Sequence, residues 1–406
     1  MYINFCTKAI CGQAETSNRI PSENMRLAWD VCYNSNMEDN VRILVFNEDD
    51  SAYGSGCKYG GAFTEEGLRG YVRRIAAGGQ VTHFFMCPNA MCANWDSRVM
   101  SPVWWAFDRP GATIHDWQRG VKALQDAGLD MYAVWADEAR RRGLSPWLSL
   151  RMNDVHCVED LDDAMHSAFW RDHPECRRVP GFAGWPWTDA ALDYSHAEVR
   201  VYWKAFLAEA FARYDIDGLE LDWMRFPEHL PPGRAEAFSW CLDEIVAEAR
   251  RLADEAAKRL GHPVLVGARV SSRPETARAR GTDFEKWAQM GWIDWLVPCN
   301  MWWSVDFNLP YAEWARLLKA VNPRVRVVPG LDGGAATDGK RHFLSLGEYA
   351  AFADRMYRQG ASGIYLFNLF DSPKESGVWD AILSEGLPPD RVAEYARGVA
   401  VTDEHD

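Results

Sequence analysis

The sequence predicts a single closed (β/α)₈ barrel, in which eight parallel strands alternate with helices. Two observations favour this fold. Short apolar runs of four to seven residues alternate with amphipathic segments along the chain. The runs are nearly continuous in apolar residues, as is typical of parallel strands that are covered on both faces. With 406 residues, 48% hydrophobic and 25% charged, the chain is also long and apolar enough to fill one large barrel.

The eight predicted strands follow one another with room for a helix between most of them. They span residues 42–46, 81–86, 145–150, 216–222, 264–268, 293–297, 325–328 and 363–367. The predicted helices are the amphipathic segments 64–78, 114–142, 197–213, 234–260, 311–320 and 347–359. A doubly wound sheet is the alternative, but it needs a phosphate-binding glycine loop directly after the first strand. Gly54 and Gly56 lie instead in a long polar loop, so the barrel is favoured.

The chain shows no change of composition that would mark a second domain. We therefore expect the barrel to occupy residues 1–398 and a short acidic tail to occupy residues 399–406. Three long loops, at 47–63, 87–113 and 152–196, hold the extra length. Each of them follows a strand, so each is predicted at the C-terminal rim of the barrel, where the active sites of this fold form.

The charge balance argues against several classes of partner. The chain has 44 Lys and Arg against 58 Asp and Glu, a formal net charge of −14. Nucleic acids and anionic membranes both need a basic surface, so neither is expected as a partner. No apolar stretch is long enough to span a membrane and no signal peptide is visible, which predicts a cytoplasmic protein. The ten cysteines form no C-x-x-C pair, so we predict no zinc site, no disulfide framework and no cofactor.

Tryptophan is unusually frequent, with 20 residues against 14 tyrosines and 18 phenylalanines. The simplest role of a tryptophan is to pack against a helix. Flat aromatic faces in a cleft also suit sugar rings, which stack on them. The tryptophans in loop-like settings, which are candidates for this second role, are Trp95, Trp104, Trp105, Trp185, Trp187, Trp302 and Trp303.

The fourth strand is the most informative because its inward face holds two carboxylates. Side chains alternate along a strand, so Gly218, Glu220 and Asp222 are predicted to point into the barrel. Buried carboxylates are costly unless they are paired or take part in chemistry. Two hypotheses therefore stay open: an internal ion pair with Arg151 or Arg269, or a catalytic role.

The other strand ends bring further polar groups to the same rim. They are Arg151, Asn153, Asp154 and His156 after the third strand, Arg225 after the fourth, Arg269 on the fifth, Asn300 and Trp302 after the sixth, Asp332 after the seventh and Asn368 after the eighth. Polar groups at the C-terminal strand ends are typical of a site, since residues that only stabilise a barrel are expected at the opposite end.

Part of the chain resembles a known family. Residues 192–200 are LDYSHAEVR, and residues 213–227 are RYDIDGLELDWMRFP. This resembles the family-10-like glycoside hydrolases, TIM-barrel proteins with the pattern LD-hydrophobic-SHPEVR followed by YDVDGI-x-LD-x-x-R-F/Y-P, and the likeness covers roughly residues 145–230. Ala197 replaces the usual proline. The shared positions include Asp217, Gly218, Asp222, Arg225 and Pro227. The resemblance implies carbohydrate hydrolysis on a barrel.

The same strand is also similar to the family 18 chitinase signature DGxDxDxE. Here the chain departs from the pattern, because Met224 stands where that signature has its catalytic glutamate. A chitinase-type, substrate-assisted mechanism is therefore not expected.

We predict a glycoside hydrolase that works by carboxylate chemistry. Such enzymes use two acid or base groups on either side of the scissile bond, about 5–5.5 Å apart for retention and 6.5–9.5 Å for inversion. Glu220 and Asp222 rise from one strand, so they approach the sugar from one side. We assign Asp222 as nucleophile or base, and Glu220 as a group that orients it or binds a hydroxyl. The proton donor is expected on another strand end, from Asp154 or His156, with Asp332 as the alternative across the barrel.

The remaining rim residues are predicted to bind the carbohydrate substrate. Two hypotheses concern the arginines among them. They either neutralise the nearby carboxylates or grip the acidic group of a uronic, sialic or sulfated sugar, a contact at which arginine excels. The predicted binding residues are Arg151, Asn153, Arg225, Arg269, Asn300, Trp302, Asp332 and Asn368.

Two other functions remain as alternatives. Met224 in place of a glutamate would suit a barrel that binds sugar without cleaving it. A metal-dependent hydrolase or isomerase would use His83, His156, Glu220 and Asp222. The first strand has no His-x-His motif and the histidines are dispersed, so this alternative is the weaker one.

Overall fold

The computed structural model describes residues 42–48, 63–179, 186–301, 303–337 and 340–401. The expectations for the first 41 residues, for Gly54 and Gly56, for Trp185 and Trp302 and for the end of the acidic tail fall outside these residues. None of the described helices has the length and apolar character needed to cross a membrane.

Nine strands form one parallel sheet in the order β7-β6-β5-β4-β3-β2-β1-β11-β8. The strands are β1 (Ile43–Glu48), β2 (His83–Met86), β3 (Ser145–Arg151), β4 (Gly218–Asp222), β5 (Leu265–Val270), β6 (Trp295–Pro298), β7 (Arg326–Val327), β8 (Gly330–Asp332) and β11 (Gly363–Phe367). An antiparallel hairpin of β9 (Gly334–Thr337) and β10 (Lys340–Phe343) follows β8. The predicted α/β barrel is therefore confirmed.

The seventh strand of the barrel is divided into two short strands, β7 and β8. Together these strands connect the two edges of the sheet. β7 pairs with β6, and β8 pairs with β11. Between them, the Val328 N–H donates to Leu296 O and Pro329 O accepts from the Tyr365 N–H, both at 2.9 Å. Proline has no N–H to give to the ladder, which explains the break. The predicted end of this strand at residue 328 was wrong, because the strand continues to Asp332.

Helices surround the sheet and connect its strands. They are α1 (Glu65–Ala76), α2 (Asp116–Asp126), α3 (Met131–Arg141), α4 (Ala168–Asp172), α5 (Pro186–Asp189), α6 (Ala197–Arg213), α7 (Ala235–Leu260), α8 (Pro274–Ala279), α9 (Phe284–Gln289), α10 (Tyr311–Val321), α11 (Leu346–Arg358), α12 (Val378–Glu385) and α13 (Pro389–Tyr395). The helix predicted at 114–142 is in fact two helices. Gly128 adopts a φ of +72° between them, and the Asp130 side chain caps the second by accepting from the Ala133 N–H.

The lower part of the barrel is filled by aromatic rings. Trp147 stacks on Phe85 with ring centroids 4.7 Å apart, and Trp295 lies 5.0 Å from Trp147. Gly218 makes room for them, since a Cβ added there would lie 2.5 Å from the Trp147 ring. This packed floor leaves the polar residues of the next layers at the C-terminal end.

One of the tryptophans predicted in a sugar-binding loop belongs to the core instead. Trp95 is buried and stacks on Phe206 with ring centroids 5.1 Å apart. Its Nε1 donates to Glu209 Oε2 at 3.4 Å. The expectation that Trp95 faces a sugar was therefore wrong, because α6 supplies both a flat partner and an acceptor for the indole.

Candidate active site

The inward residues of β3, β4 and β5 form two layers of polar groups. Ser149 is paired with Glu220 in the lower layer. Arg151, Asp222 and Arg269 are paired side by side in the layer above it. All five side chains are buried. The alternation predicted from the sequence therefore places both carboxylates inside the barrel, one layer apart.

Asp222 accepts hydrogen bonds from one arginine side chain and from two backbone N–H groups. Arg269 makes a bidentate ion pair with it, with Nε 2.8 Å from Oδ1 and Nη2 2.6 Å from Oδ2. The backbone N–H groups of Met224 and Arg225 also donate to Oδ1, at 2.8 and 3.0 Å. Among the described residues, Arg269 is the sole donor to Oδ2. The carboxylate therefore ties the end of β4 to β5 and keeps one oxygen less crowded than the other.

Glu220 lies directly below Asp222 and is fully buried. Its Oε1 accepts from Ser149 Oγ and from the Tyr365 hydroxyl, both at 2.7 Å. Within the described part of the chain its Oε2 has no hydrogen-bond partner. Burial and the nearby Asp222 carboxylate raise the pKa of Glu220 to about 7. The side chain can therefore hold a proton near neutral pH.

The end of β3 brings together a second charged group. Asp154 accepts from Arg151 Nη1 at 2.8 Å and from His156 Nδ1 at 2.5 Å. Arg225 Nη2 lies 3.3 Å from His156 Nε2. Guanidinium groups only donate, so Nε2 is the acceptor and Nδ1 is the donor to Asp154. Burial alone would raise the pKa of Asp154, but His156, Arg151 and Arg225 together hold it well below its usual range.

Asp332 at the end of β8 is a third buried carboxylate of the rim. Its Oδ1 accepts from the Gly334 N–H and its Oδ2 from Asn368 Nδ2, both at 3.0 Å. Burial raises the pKa of Asp332 to about 7, although Arg225 and Arg269 act in the opposite direction. Phe367, paired with Asp332 in the sheet, lies under the Arg269 guanidinium at 3.8 Å. Asp332, Arg269 and Asp222 therefore belong to one continuous cluster.

Two of the predicted binding residues serve the protein itself. Asn153 links separate loops, because its Nδ2 donates to Leu192 O at 2.9 Å and to Glu228 O at 3.1 Å while its Oδ1 accepts from the Leu192 N–H. Arg151 pairs with Asp154, as described above. Asn300 is buried after β6. Trp302 lies outside the described residues.

Several residues of this cluster were missed from the sequence. Tyr365 joins Glu220 to Asn47, whose Nδ2 donates to the Tyr365 hydroxyl at 2.6 Å. Alternation along the eighth strand would have placed Tyr365 and Phe367 on its inward face, so the signal was present. At the mouth, Trp187 lies 5.7 Å from Phe226 and 6.4 Å from His156. Among the described loop tryptophans, Trp187 lies beside His156 of this group.

The residues suggested for a catalytic metal are not gathered at one point. His83 is at the opposite end of the barrel, where it is paired with Ser145 across the sheet and packs on Trp295 at 4.7 Å. Burial lowers the pKa of His83 to about 3. In the described part of the chain, the clusters of three His, Cys, Asp or Glu side chains with close ligand atoms contain neither Glu220 nor Asp222.

Comparison with known proteins gives matches in fold. No protein-family model and no curated protein matches the chain. The glycoside hydrolase domain of PgaB (BpsB) from Bordetella bronchiseptica is 11% identical with a TM-score of 0.49, over 85% of this chain and 99% of that domain. GH36 α-galactosidase AgaB from Geobacillus stearothermophilus is 14% identical with a TM-score of 0.42, over 88% of this chain. The match covers 42% of that galactosidase, so this chain spans less than half of its length.

Proposed function

We propose that the protein is a glycoside hydrolase in which Asp222 is the nucleophile or base and Asp332 is the proton donor. The observation that carries this proposal is the difference between two buried carboxylates that share Arg269 as a neighbour. Asp222 is bound to Arg269 through both oxygens, whereas the pKa of Asp332 is raised to about 7. Contrasting surroundings of two carboxyl groups can give a glycosidase an acid and a base at one pH.

We choose Asp332 as proton donor rather than Asp154 of the third strand because of the charged groups around each carboxyl group. Asp154 is surrounded by His156, Arg151 and Arg225, which hold its pKa well below the usual range. A carboxyl group in that state gives up its proton long before neutral pH. Asp332, with a pKa of about 7, keeps a proton available to the leaving oxygen. It rises from β8, so it approaches a bound sugar from a different wall than β4.

The contacts of Asp222 suit a nucleophile that must not rotate. Three donors hold Oδ1, and Arg269 Nη2 alone donates to Oδ2 among the described residues. We assign the reacting atom to Oδ2, since an oxygen with fewer donors has lone pairs free for the anomeric carbon or for a water. Held in this way, the carboxylate is pre-organised and loses little entropy on reaction.

Glu220 is a positioning residue in this scheme. It lies one layer below Asp222 and does not need to touch the sugar. With a pKa of about 7, it is partly protonated at neutral pH, which limits the repulsion between two stacked carboxylates. Ser149 and Tyr365 fix its Oε1, so it supports Asp222 from below.

The ion pairs of two of the three predicted arginines favour a neutral sugar. Arg269 is bound to Asp222, and Arg151 is bound to Asp154. These two arginines therefore act as internal counter-ions, the first of the two hypotheses raised by the sequence. Trp187 and Phe226 beside His156 offer aromatic faces for a sugar ring. A preference for acidic over neutral glycosides would overturn this part of the proposal.

A panel of aryl glycosides tests the assignment of the acid. Asp332→Asn removes the proton donor, so hydrolysis of glycosides with poor leaving groups should fall by about 10²–10⁴-fold. Glycosides with very acidic leaving groups need no protonation and should be affected far less. An equal loss on all leaving groups would show that Asp332 is not the acid. No hydrolysis of any glycoside by the wild type, together with measurable sugar binding, would favour the non-catalytic barrel.

A further inference from the structure

A cluster of five metal-binding side chains lies in the long loop that follows β3 and in the first turn of α6. Cys176, His196 and Glu198 place one ligand atom each within 4.8 Å of one another. His173, Glu175 and the same Cys176 form a second group with the same spacing. Cys176 is therefore common to both groups and connects the five side chains.

The backbone explains why residues so far apart in sequence meet. Cys176 ends the 3₁₀ turn Pro174–Cys176 that follows α4. Its carbonyl accepts from the Asp193 N–H at 2.8 Å, and Arg177 forms a β-bridge with Leu192. The chain then turns into α6, whose N-cap is His196 and whose first turn holds Glu198. Two segments of the loop thus run side by side and present their ligands to each other.

Three of these side chains have no hydrogen-bond or ion-pair partner among the described residues, although Cys176 also packs in the hydrophobic core. Cys176 is a free cysteine with 1% of its surface exposed. The His196 ring does not cap α6, and neither this ring nor the Glu198 carboxylate has a hydrogen-bond or ion-pair partner in the described part of the chain. The Cys176 thiol packs at the edge of the hydrophobic core, with the imidazole and the carboxylate as its nearest possible metal-ligand partners.

The chemistry of the donors selects the ion. One thiolate, imidazole nitrogens and a carboxylate oxygen in a four-coordinate set are typical of Zn²⁺, while Ca²⁺ and Mg²⁺ prefer oxygen alone. Burial raises the pKa of the Cys176 thiol to about 11, and the carboxylates of Glu175, Glu198 and Asp193 act in the same direction, so the thiolate would need the positive charge of a bound ion. Ligand atoms that share one zinc ion lie about 3.3–3.8 Å apart. Closing this cluster around the ion therefore needs side-chain shifts of about 1 Å.

We propose that Cys176, His196 and Glu198 bind one Zn²⁺ ion, with the His173 and Glu175 pair supplying the fourth ligand. His173 Nδ1 lies 2.9 Å from Glu175 Oε1. With Nδ1 directed at this carboxylate, the other ring nitrogen is available for the metal, which is the usual arrangement of a zinc-bound histidine. The ion fastens the short helix α4 and the turn after it to the start of α6. It is a structural site and takes no part in sugar cleavage.

A rival cluster provides a clear comparison. His115, Cys157 and Asp163 also meet the distance criterion. There, however, His115 Nε2 is already bonded to Asp163 Oδ2 at 2.8 Å, and the other oxygen of Asp163 accepts from the Met165 N–H. Cys176, His196 and Glu198 have no such partners among the described residues, so they form the better zinc site.

The test uses the full chain, stripped with EDTA and titrated with Zn²⁺ or with Co²⁺ as a coloured substitute. We expect one equivalent to bind, with a sulfur-to-cobalt charge-transfer band and a rise in Tm. Cys176→Ser and His196→Gln should each weaken binding by at least about 100-fold. Cys241→Ser, a buried cysteine outside the clusters, is the matched control and should bind like the wild type.

A second measurement keeps the proposal testable if the variants do not fold. In the wild type, X-ray absorption at the zinc edge should show one sulfur ligand at about 2.3 Å from the bound ion. The proposal is overturned if no ion binds, if Co²⁺ shows no thiolate band, or if the bound Zn²⁺ has no sulfur ligand. Loss of binding in His115→Gln with retention in His196→Gln would move the site to the rival cluster and would also overturn it.

Discussion

Arg269 and Asp222 occupy paired positions on neighbouring strands and form a bidentate ion pair with 1% or less of either residue exposed. Asp222 also accepts from two backbone N–H groups of the turn that follows β4. The Asp222 carboxylate thus binds Arg269 on β5, closes the turn after β4 and faces the mouth of the barrel. Its structural and proposed catalytic roles can be separated by experiment.

Removing Arg269 from this ion pair should lower the stability of the folded protein. In Arg269→Met, the Asp222 carboxylate stays buried without its counter-ion, so we expect a loss of about 3–5 kcal/mol in the free energy of unfolding. Urea denaturation measures it. The double variant Arg269→Met/Asp222→Asn no longer buries a charge, so it should be more stable than Arg269→Met alone. A double variant whose loss equals the sum of both single losses would contradict the coupling.

The raised pKa of Asp332 should appear in the pH dependence of stability. Its pKa is about 7 in the folded protein against 3.8 for an ordinary aspartate, so the folded state holds a proton that the unfolded chain has lost. The contribution of Asp332 to the free energy of unfolding is therefore greatest below about pH 4. It decreases as the pH rises to about 7, by at most about 1.4 kcal/mol per pH unit.

Asp332→Asn should abolish this decrease in the free energy of unfolding, because an amide does not titrate. The variant should therefore gain stability relative to the wild type between pH 4 and pH 7, measured by urea denaturation at each pH. Asn368 can reverse its amide to accept from the new side chain, since its Oδ1 has no partner within the described residues. A stability difference that stays constant across this pH range would show that the pKa of Asp332 is not raised.

The hydrogen bond that Tyr365 donates to Glu220 can be tested by substitution of Tyr365. Tyr365→Phe removes a donor to Glu220 Oε1 and an acceptor for Asn47 Nδ2. We expect a loss of about 1–3 kcal/mol in the free energy of unfolding, the usual result of leaving a buried polar group unsatisfied. The pKa of Glu220 should rise further, because the hydroxyl favours the charged form. Infrared difference spectra of the carboxyl stretch, compared with Glu220→Gln, would detect this change.

Gly218 is expected to be irreplaceable for a steric reason. In Gly218→Ala, the new Cβ would lie 2.5 Å from the buried Trp147 ring, which should destabilise the fold by about 1–3 kcal/mol. The matched control is Gly70→Ala on α1, where the nearest atom would be 3.6 Å away. That substitution should be neutral or stabilising by up to about 1 kcal/mol, because alanine favours a helix. Thermal unfolding of both variants tests the comparison.

The barrel could be predicted from sequence because its signals are local. Apolar runs and their alternation located most strands and placed Glu220 and Asp222 on the inward face. The break in the seventh strand was missed, since the residues after Pro329 pair with a strand more than 30 positions later in the chain. The division of the helix at 114–142 was missed although Gly128 and Asp130 mark it.

Contacts between distant residues explain what could not be predicted at the site. Asp332 was considered only as an alternative donor, because its raised pKa depends on burial that the sequence does not reveal. Asn153 was assigned to substrate, but its amide is bonded to Leu192 and Glu228, which are far from it in the sequence. The cluster around Cys176 was missed because its ligands come from two loop segments about 20 residues apart, without the spacing of a known zinc motif.

The rate of Asp222→Asn on an activated aryl glycoside tests the central claim most directly. The substitution keeps shape and hydrogen bonding while removing the charge that nucleophilic or base catalysis requires. We predict a fall in kcat of several orders of magnitude with a folded protein, while the control Asp217→Asn, at the opposite end of the same strand and bonded to Ser145, keeps most of its activity. If Asp222→Asn retained more than about a tenth of the wild-type rate, when a base alone supplies about 10²–10⁴-fold, Asp222 would be a structural ion-pair partner and not the catalytic carboxylate.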